Sequence, residues 1–440
     1  MTSTNLKASR RPEVGGRKES RVQAWSLTGI VIVMYIVNWS DKAILGLVAQ
    51  PLAKEFGLSA SQIGLVGSGF FLTFTIGGFF AGPLSKLMTM RWALVLLCLV
   101  WAATMLPIVA VASFAVLLVS RLVLGLAEGP TSALAYTAVY SWHPPEKRGL
   151  PGAWITAGSS IAKIAVAPVL ALVIATWGWR YAFVILAVIG VAWCGLWLAM
   201  WKEGPYANGP QSSAAVTDAE QPKVPWGKIF RTPTFLGGAA AMFAMYALVT
   251  VVLTWLPSYF EVGLGYSRVQ AGTMFALPSI VSLVSLMVSS YISDKLLARG
   301  SSSRAARGVL PGAGLLFCGL ALVMLPVIGA PVLVVVVVSL GYGIGSMIFP
   351  LLNAAISEIC PPAQLAGALG VFLALMSLGG LVAPYLTGVI VDASSSPAEG
   401  YATSFQVFGM IAAVAAVIAL ITVNPERDAR RLLGPAVVKA

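Results

Sequence analysis

Charged residues are scarce in this sequence of 440 residues: Asp, Glu, Lys and Arg together account for 10%, and there is one histidine. A soluble globular protein carries about 25% charged residues, so this chain has too few to cover a water-facing surface of its size. Disorder is excluded as well, because 58% of the residues are hydrophobic and disordered chains are poor in such residues. The composition therefore indicates an integral membrane protein.

The sequence also lacks features of several other protein classes. Four cysteines stand singly in or beside apolar stretches: Cys98, Cys194, Cys318 and Cys360. Their spacing fits neither a disulfide framework nor a metal site, and we expect no cofactor. No Walker A segment indicates ATP as the energy source, and His143, in a predicted loop, gives no sign of an enzyme. The polar N-terminus up to Gln23 predicts no cleavable signal peptide.

Long apolar runs, by contrast, are abundant. A helix needs about 20 largely apolar residues to cross the hydrocarbon core of a bilayer. Twelve runs reach that length: 25–47, 61–83, 92–111, 114–139, 152–175, 181–201, 235–260, 270–292, 309–328, 331–356, 365–391 and 404–423. We therefore predict an all-α polytopic membrane protein with twelve transmembrane helices.

The two halves of the chain resemble each other. Segment 82–86, at the end of predicted helix 2, is similar in sequence to segment 290–295 at the end of predicted helix 8. Segment 167–170 in helix 5 is similar to segment 383–386 in helix 11. The two pairs of segments are separated by nearly the same number of positions, which supports two pseudo-symmetric six-helix bundles packed around a central site. The predicted organisation is a basic tail (1–24), an N-terminal bundle (25–201), a linker (202–233), a C-terminal bundle (234–423) and a second tail (424–440).

The distribution of Lys and Arg predicts the orientation of the chain. Of 28 such residues, Lys54, Arg180 and Arg268 fall on one side, three fall inside predicted spans, and all the others fall on the side of both termini. Because cytoplasmic loops are enriched in Lys and Arg, we expect both termini and the linker in the cytoplasm and the protein in the inner, cytoplasmic membrane. The net charge of +12 then reflects topology and does not indicate a nucleic-acid partner.

Charged side chains inside the predicted spans are the strongest pointers to function. Each costs about 2.5–3.5 kcal/mol on insertion scales, so such residues are rare and usually functional. The sequence places five there: Asp41, Lys42, Arg121, Glu128 and Lys163. Asn38 shares one helical sector with Asp41 and Lys42, and Arg121 and Glu128, two turns apart, face the same way.

Lys163 is predicted near the middle of helix 5. It lies about ten residues from either interface, too deep for its side chain to reach the headgroups. Ser159 lies one turn away on the same face and could add a hydrogen bond to a ligand. We therefore expect Lys163 to be a cationic contact for an anion.

Structural roles remain open for each of these charges. Lys42 lies in the outer third of helix 1, where a lysine can extend its ammonium group to the headgroups. Arg121 and Glu128 could form a buried ion pair that holds helices together. Lys163 could be paired permanently with Asp41 or Glu128.

The balance of these charges indicates proton-coupled anion transport. Three cations face two acids, so protonation of the acids leaves positive groups free to hold an anion, and departure of the anion favours proton release. An interior-negative membrane potential opposes anion entry by about 2.3 kcal/mol per charge per 100 mV, so import needs accompanying protons. Two titratable carboxyl groups allow two protons.

Several of these residues stand in motifs that resemble the anion:cation symporter family of the major facilitator superfamily. The stretch 38–42 resembles the family's Asn-Tyr-x-Asp-Arg signature, and Arg121 with Glu128 resembles its Arg/Glu pair in helix 4. The loop 143–148 is similar to its Phe-Pro-x-x-Glu-Arg turn, and 255–259 resembles its helix 7 motif. The stretch 293–300 is similar to its loop between helices 8 and 9.

The resemblance implies the major facilitator fold and roles for particular residues. Asp41 and Glu128 correspond to the proton-coupling acids, and Lys42 and Arg121 to the basic residues of the anion site. Asn38 and Trp39, in the same signature, complete the substrate-binding candidates with Lys163 and Ser159. For gating, we expect residues of the loop between helices 8 and 9 to form a cytoplasmic latch. We also expect the loop between helices 10 and 11 to pair with the basic loop between helices 4 and 5. The candidates are Asp294, Lys295, Arg299 and Glu358.

Three departures from the family pattern affect the substrate prediction. Lys42 replaces an arginine and loses its two-pronged hydrogen bonding. Lys86 stands where the loop motif of the first half usually has Asp. Ser159 stands where sugar-acid carriers often have Gln, and Lys163 one turn on is unusual. Together these departures favour an aromatic or dicarboxylic acid over a sugar acid.

The sequence thus predicts a secondary active transporter that imports a small organic carboxylate with protons by alternating access. The alternative on the same fold is proton-driven efflux of drugs or metabolites, which would favour acidic over basic residues in the cavity. A membrane receptor for the anion is the third possibility, although no long cytoplasmic segment is predicted to carry a signalling domain. The expected partners are the organic anion, protons and the lipid bilayer, with the chain as a monomer.

Overall fold

The structure, a computed structural model, describes residues 21–143, 149–206, 224–361 and 364–434. The first half contains nine α-helices in these residues: α1 (Arg21–Phe56), α2 (Ala60–Gly78), α3 (Ala81–Leu87), α4 (Met90–Ala110), α5 (Phe114–Glu128), α6 (Thr131–Tyr140), α7 (Gly149–Ile161), α8 (Ala167–Trp177) and α9 (Trp179–Met200). A π-helical segment, Ala162–Val166, joins α7 to α8.

The second half is built in the same way. Its described α-helices are α10 (Trp226–Phe230), α11 (Pro233–Ser258), α12 (Arg268–Met274), α13 (Ala276–Ala298), α14 (Leu310–Val323), α15 (Pro331–Gly345), α16 (Ile348–Ile359), α17 (Leu365–Asp392), α18 (Pro397–Thr422) and α19 (Pro425–Leu433). π-helical segments extend α11 over Tyr259–Gly263 and precede α14 over Ala305–Val309, and a 3₁₀ segment, Leu325–Val327, follows α14.

Twelve of the helical stretches among these residues are long and apolar enough to cross a bilayer, which confirms the predicted fold class. They are Arg21–Phe56, Ala60–Gly78, Met90–Ala110, Phe114–Tyr140, Leu150–Trp177, Trp179–Met200, Pro233–Gly263, Arg268–Ala298, Ala305–Val327, Pro331–Ile359, Gly367–Asp392 and Pro397–Thr422. Because twelve is an even number, the start of the first span and the end of the last span lie on the same membrane face. We call this the terminal face, and the other the opposite face.

The first span extends well beyond the apolar run that predicted it. The run covers 25–47, whereas α1 continues to Phe56 and includes Pro51 and Lys54. A helix needs only backbone hydrogen bonds to continue, so its last turns can project past the hydrocarbon core with polar side chains. Hydrophobicity therefore locates the membrane segment of this helix and not its end.

Two local breaks position charged residues. Gly129 and Pro130 separate α5 from α6, and a Cβ atom at Gly129 would lie 2.3 Å from the carbonyl oxygen of Phe74 on α2, so only glycine permits this approach. Pro168 follows the π-helical segment; because proline has no N–H and clashes with the carbonyl four residues earlier, the helix widens before it. Glu128 lies at the first break and Lys163 at the second.

The first six and last six spans meet closely towards the opposite face. The side chain of Asp392, at the end of α17, accepts hydrogen bonds of 2.8 Å from the backbone N–H groups of both Ala60 and Ser61, in the first turn of α2. Further along the same pair of helices, a Cβ atom at Gly64 would lie 2.3 Å from the Pro384 carbonyl oxygen. The structure is therefore closed at this face.

Candidate functional site

All five charged residues predicted inside the spans are buried in one part of the molecule, the first six spans. Their exposed fractions are 2% for Asp41, 8% for Lys42, 3% for Arg121, 0% for Glu128 and 7% for Lys163. None of them faces lipid. An isolated buried charge is costly unless it is paired or hydrogen-bonded, so the contacts of these five side chains indicate their roles.

Lys42 forms a buried ion pair with Glu128. Its Nζ also donates a hydrogen bond of 2.5 Å to Oδ1 of Asn38, one turn back on α1. Lys42 therefore points into the protein and does not extend to the headgroups. The break after Glu128 and the close approach of α2 bring the carboxylate to the face of α1 on which Asn38 and Lys42 lie.

Aromatic rings surround the ammonium group of Lys42. Its Nζ lies 5.3 Å from the ring centre of Trp39, 5.8 Å from that of Phe70 and 5.1 Å from that of Phe74. Rings at such distances attract a cation through their electron-rich faces. The half-buried Trp39 is also near Lys163, whose Nζ lies 5.6 Å from the centre of the same ring. Trp39 thus contacts both lysines.

Arg121 contacts α1 through the backbone. Its Nη1 donates a hydrogen bond of 2.8 Å to the carbonyl oxygen of Asp41, and its guanidinium carbon lies 5.6 Å from the ring centre of Phe183. Its second terminal nitrogen, Nη2, is buried without a hydrogen-bond partner. Arg121 forms no ion pair with Glu128 among the described residues, so the buried Arg121–Glu128 pair that remained open as a structural role is absent from this conformation.

Unused hydrogen-bonding capacity is concentrated in this cluster. The buried atoms without a partner include Nδ2 of Asn38, Oδ1 of Asp41 and Oε1 of Glu128, in addition to Nη2 of Arg121. Native proteins satisfy nearly all such atoms, and exceptions call for an explanation. Atoms that accept a proton or bind a ligand in another state of the protein provide one.

Lys163 has no counter-ion. It makes no hydrogen bond or ion pair with any residue that the structure describes, and it is not bonded to Asp41 or Glu128, the partners that a structural role required. It lies in the π-helical segment, a feature that is frequent at functional sites. Lys163 is thus a buried cation that contacts the Trp39 ring but has no acid beside it among the described residues.

Ser159 does not join the cluster directly in this conformation. Its hydroxyl group donates a hydrogen bond of 2.9 Å to the carbonyl oxygen of Thr156 on its own helix. The side chain is half-buried, so it remains available to a ligand near Lys163 only after it turns. Its assignment as a substrate contact stays a prediction.

The predicted latch residues lie at the terminal face. Asp294, Lys295 and Arg299 are exposed, and none forms an ion pair with another described residue. Glu358 pairs with Arg307, and its Oε1 accepts a hydrogen bond of 2.6 Å from the Ser303 hydroxyl group. Its predicted partners in the 4–5 loop, Lys147 and Arg148, lie outside the described residues, so that pairing stays a prediction.

Sequence reasoning missed Asp392. It joins the two halves at the opposite face through the first turn of α2, where Ser59 forms a capping box with Gln62. The capping signal was visible in the sequence, as a serine followed three residues later by glutamine. The sequence did not show that Asp392 of α17 also binds the start of α2, because that contact depends on how the two helices pack.

Twelve spans and a buried cluster of charges within them define a polytopic membrane protein with the architecture of a secondary transporter. The family model described as Major Facilitator Superfamily matches residues 31–346 and 302–437. The chain belongs to the major facilitator superfamily. Members of this superfamily are transporters and not enzymes, in agreement with the sequence prediction.

Known proteins similar to the chain include transporters of organic anions. One is described as the hexuronate transporter of Bacillus subtilis (strain 168); it is 26% identical over 400 residues, which cover 89% of this chain and 92% of that protein. Another is described as a probable sulfoacetate transporter of Cupriavidus necator, 25% identical over 422 residues, with 91% and 93% of the two chains covered.

A solved structure supports the fold. It is that of a bacterial homologue of the human lysosomal transporter Spinster, in an inward-facing and unoccupied conformation. It superposes with a TM-score of 0.76 at 19% sequence identity and covers 94% of this chain and 98% of that chain.

Proposed function

We propose that this protein is a proton-coupled symporter that imports a small organic carboxylate by alternating access. The observation that carries the proposal is the isolated Lys163. A buried ammonium group without a counter-ion is costly, and an anionic substrate that binds beside it would supply the missing charge. The two relatives, described as a hexuronate transporter and a probable sulfoacetate transporter, support an anionic substrate.

Arg121 is proposed as the second contact of the anion. Its Nη2 is buried without a partner, while Nη1 is already bound to the backbone of α1. A guanidinium group is permanently charged and matches the geometry of a carboxylate. Trp39, in contact with Lys42 and Lys163, would form a wall of the site, with Asn38 and Ser159 as hydrogen-bonding contacts.

Glu128 and Asp41 are proposed as the groups that couple the proton. Glu128 holds Lys42 through one oxygen, and its other oxygen has no partner. Protonation of Glu128 would weaken its hold on Lys42 and increase the positive charge available to an anion. Departure of the anion would favour the ionised carboxylate again, because the two binding events are reciprocally linked.

The orientation and organisation follow the sequence predictions. We propose that the terminal face is cytoplasmic, that the protein resides in the inner membrane as a monomer, and that the two six-helix bundles (25–201 and 234–423) move as units. Asp294, Lys295 and Arg299 would then act at the cytoplasmic face. The closed opposite face would be the periplasmic or external one.

The substrate is best sought by ligand-induced stabilisation. Purified protein would be screened by thermal shift against aromatic acids, dicarboxylates and sugar acids, because a ligand that binds only the folded state raises its melting temperature. Stabilisation by an acid, but not by the matching amide, would support the proposal. Stabilisation by neutral or cationic compounds alone would contradict it.

The coupling assignment is tested with Glu128→Gln in proteoliposomes. We expect this variant to retain substrate binding and counterflow but to lose accumulation driven by a pH gradient, because glutamine cannot exchange a proton. Arg121→Ala should abolish both binding and uptake. The matched control is Glu399→Gln, which removes an exposed acid at the opposite face and should leave accumulation unchanged. Uphill accumulation by Glu128→Gln would overturn the assignment.

A further inference from the structure

Two short helices lie at the terminal face of the second half, outside the spans. The first, α10, precedes the seventh span, and the second, α19, follows the twelfth. In α10, Ile229 is fully buried whereas Trp226 is 44% exposed. The helix therefore lies with one side against the protein and the other outwards.

Side-chain contacts fix the position of α10. Gln364, at the start of α17, accepts a hydrogen bond of 2.9 Å from the N–H of Val224 and donates one of 2.8 Å to its carbonyl oxygen. The ring of Trp226 packs so closely on Gly367 that a Cβ atom there would lie 2.6 Å from it. Phe230 contacts Phe235 of α11 with ring centres 5.1 Å apart.

The second helix, α19, is attached to the same end of α11. A carboxylate oxygen of Asp428 accepts a hydrogen bond of 3.0 Å from the N–H of Thr234, and the N–H of Asn424 donates one of 2.9 Å to the Thr234 hydroxyl group. Burial would raise the pKa of Asp428, but hydrogen bonds from Arg427 and Thr234 outweigh it and hold this pKa below its usual range. The carboxylate is thus ionised and bound at neutral pH.

The surface formed by these two helices is strongly basic. The residues Lys228, Arg231, Arg430 and Arg431 are exposed; we call them the basic collar. Neither acid of α19 forms an ion pair with a collar residue in the described part of the chain. Asp428 is buried against Arg427 and Thr234, and Glu426 accepts a hydrogen bond of 2.5 Å from the N–H of Ser303. The collar makes no ion pair within the described parts of the chain.

The collar lies next to the ends of two spans: α10 ends at Phe230, just before the span that begins at Pro233, and α19 begins at Pro425, just after the span that ends at Thr422. Leu236, about one turn into α11, is 56% exposed and marks the beginning of the lipid-facing surface. Trp226 is exposed just outside this level, where tryptophan is typical of the membrane interface. Arg231 is exposed and lies in sequence between Trp226 and the start of the span at Pro233, so it is a juxtamembrane cation.

We infer that the basic collar binds the phosphate groups of anionic phospholipids in the leaflet at the terminal face. Arginine donates paired hydrogen bonds to phosphate oxygens, and clusters of four or more Lys and Arg next to a span favour anionic lipids. The first helix, α10, is held to α11 and α17, and α19 is held to α11, so bound lipid would attach the second half of the protein to the leaflet. This inference is independent of the transported substrate.

The test is lipid binding to the purified full-length protein, measured by native mass spectrometry with phosphatidylglycerol or phosphatidylcholine. Wild-type protein should prefer phosphatidylglycerol. In Arg231→Gln/Arg430→Gln/Arg431→Gln, the affinity for phosphatidylglycerol should fall by roughly fivefold for each cation removed, with binding of phosphatidylcholine unchanged. The corresponding triple Arg→Lys variant should retain the preference, which shows that loss of charge and not misfolding is responsible.

A matched control removes three exposed cations of the first half on the terminal face, in Arg21→Gln/Lys86→Gln/Lys202→Gln. This variant has the same net charge as the collar variant and should keep wild-type affinity. Equal loss in both variants, or loss in neither, would overturn the inference. Competition by inorganic phosphate shows whether the collar binds the phosphate group of a lipid or free phosphate. Displacement of the lipid at millimolar phosphate would assign the collar to free phosphate and would overturn the lipid assignment.

Discussion

At the scale of residues, Lys163 has the most direct connection to function because it is a buried charge that no other described side chain balances. Lys42, by comparison, has Glu128, Asn38 and three aromatic rings. The two buried lysines therefore differ: Lys42 is paired with an acid, whereas Lys163 contacts the Trp39 ring and has no acid beside it in the described structure.

Replacement of Lys163 by methionine tests two expected effects of a buried lysine without a counter-ion: lower stability of the free protein and higher affinity for an anion. Without ligand, Lys163→Met should raise the melting temperature, because an uncompensated buried charge is removed while the side-chain volume is kept. Affinity for the anion identified by thermal shift should fall roughly tenfold or more, the loss expected for a hydrogen bond to a charged group. Thr176→Ala, in the same span, serves as the control. Unchanged affinity in Lys163→Met would contradict the assigned role.

The ion pair of Lys42 and Glu128 should behave in the opposite way. Lys42→Met leaves Glu128 buried without its partner, which costs about 3–5 kcal/mol for a buried pair. Adding Glu128→Gln should recover most of that loss, because no charge is then left alone. Chemical or thermal unfolding of both single variants and the double variant completes the cycle. Additive losses in the double variant would mean that the two side chains do not interact.

At the scale of elements, the contact of Asp392 at the end of α17 with the first turn of α2 joins the two halves at the opposite face. Asp392 binds two backbone N–H groups in the first turn of α2, where a negative charge also interacts favourably with the helix dipole. Alternating access requires this contact to break when the opposite face opens. A cavity of about 310 Å³ lies beside it, with Gln50, Ser59 and Tyr401 among its walls.

Asp392→Asn should weaken this closure by about 1 kcal/mol, the usual value of a helix cap. We would measure how fast a membrane-impermeant maleimide labels a reporter cysteine, Ala53→Cys, in the wall of that cavity. The four native cysteines are buried and should react slowly. We expect labelling about fivefold faster in Asp392→Asn than in the Glu399→Gln control. Equal rates in the two variants would show that Asp392 does not hold this face closed.

The elements themselves were largely predictable, whereas their contacts were not. Apolar runs located all twelve spans because the bilayer imposes a length on each. The same property could not locate the end of α1 at Phe56, since its last turns are polar. The cap on α2 escaped prediction because Asp392 is more than 300 positions away in sequence, and the crossing of α2 and α17 alone brings the two together.

At the scale of the whole molecule, the charges are distributed unequally between the halves. All five charges deep in the membrane belong to the first six spans, whereas the charged residues of the last six lie near span ends. The sequence showed this asymmetry, and it predicted five buried residues. It could not show that Glu128 binds Lys42 rather than Arg121, because that choice depends on the rotation of α1 and α5 about their axes.

The central claim is that anion binding and proton binding are linked through this cluster. The most direct measurement is proton uptake by purified protein in weakly buffered solution when the anion is added. The account predicts alkalinisation by the wild-type protein that is lost in Asp41→Asn/Glu128→Gln, provided that the variant still binds the anion. Anion binding without any proton uptake by the wild-type protein, across the pH range in which it transports, would contradict the account.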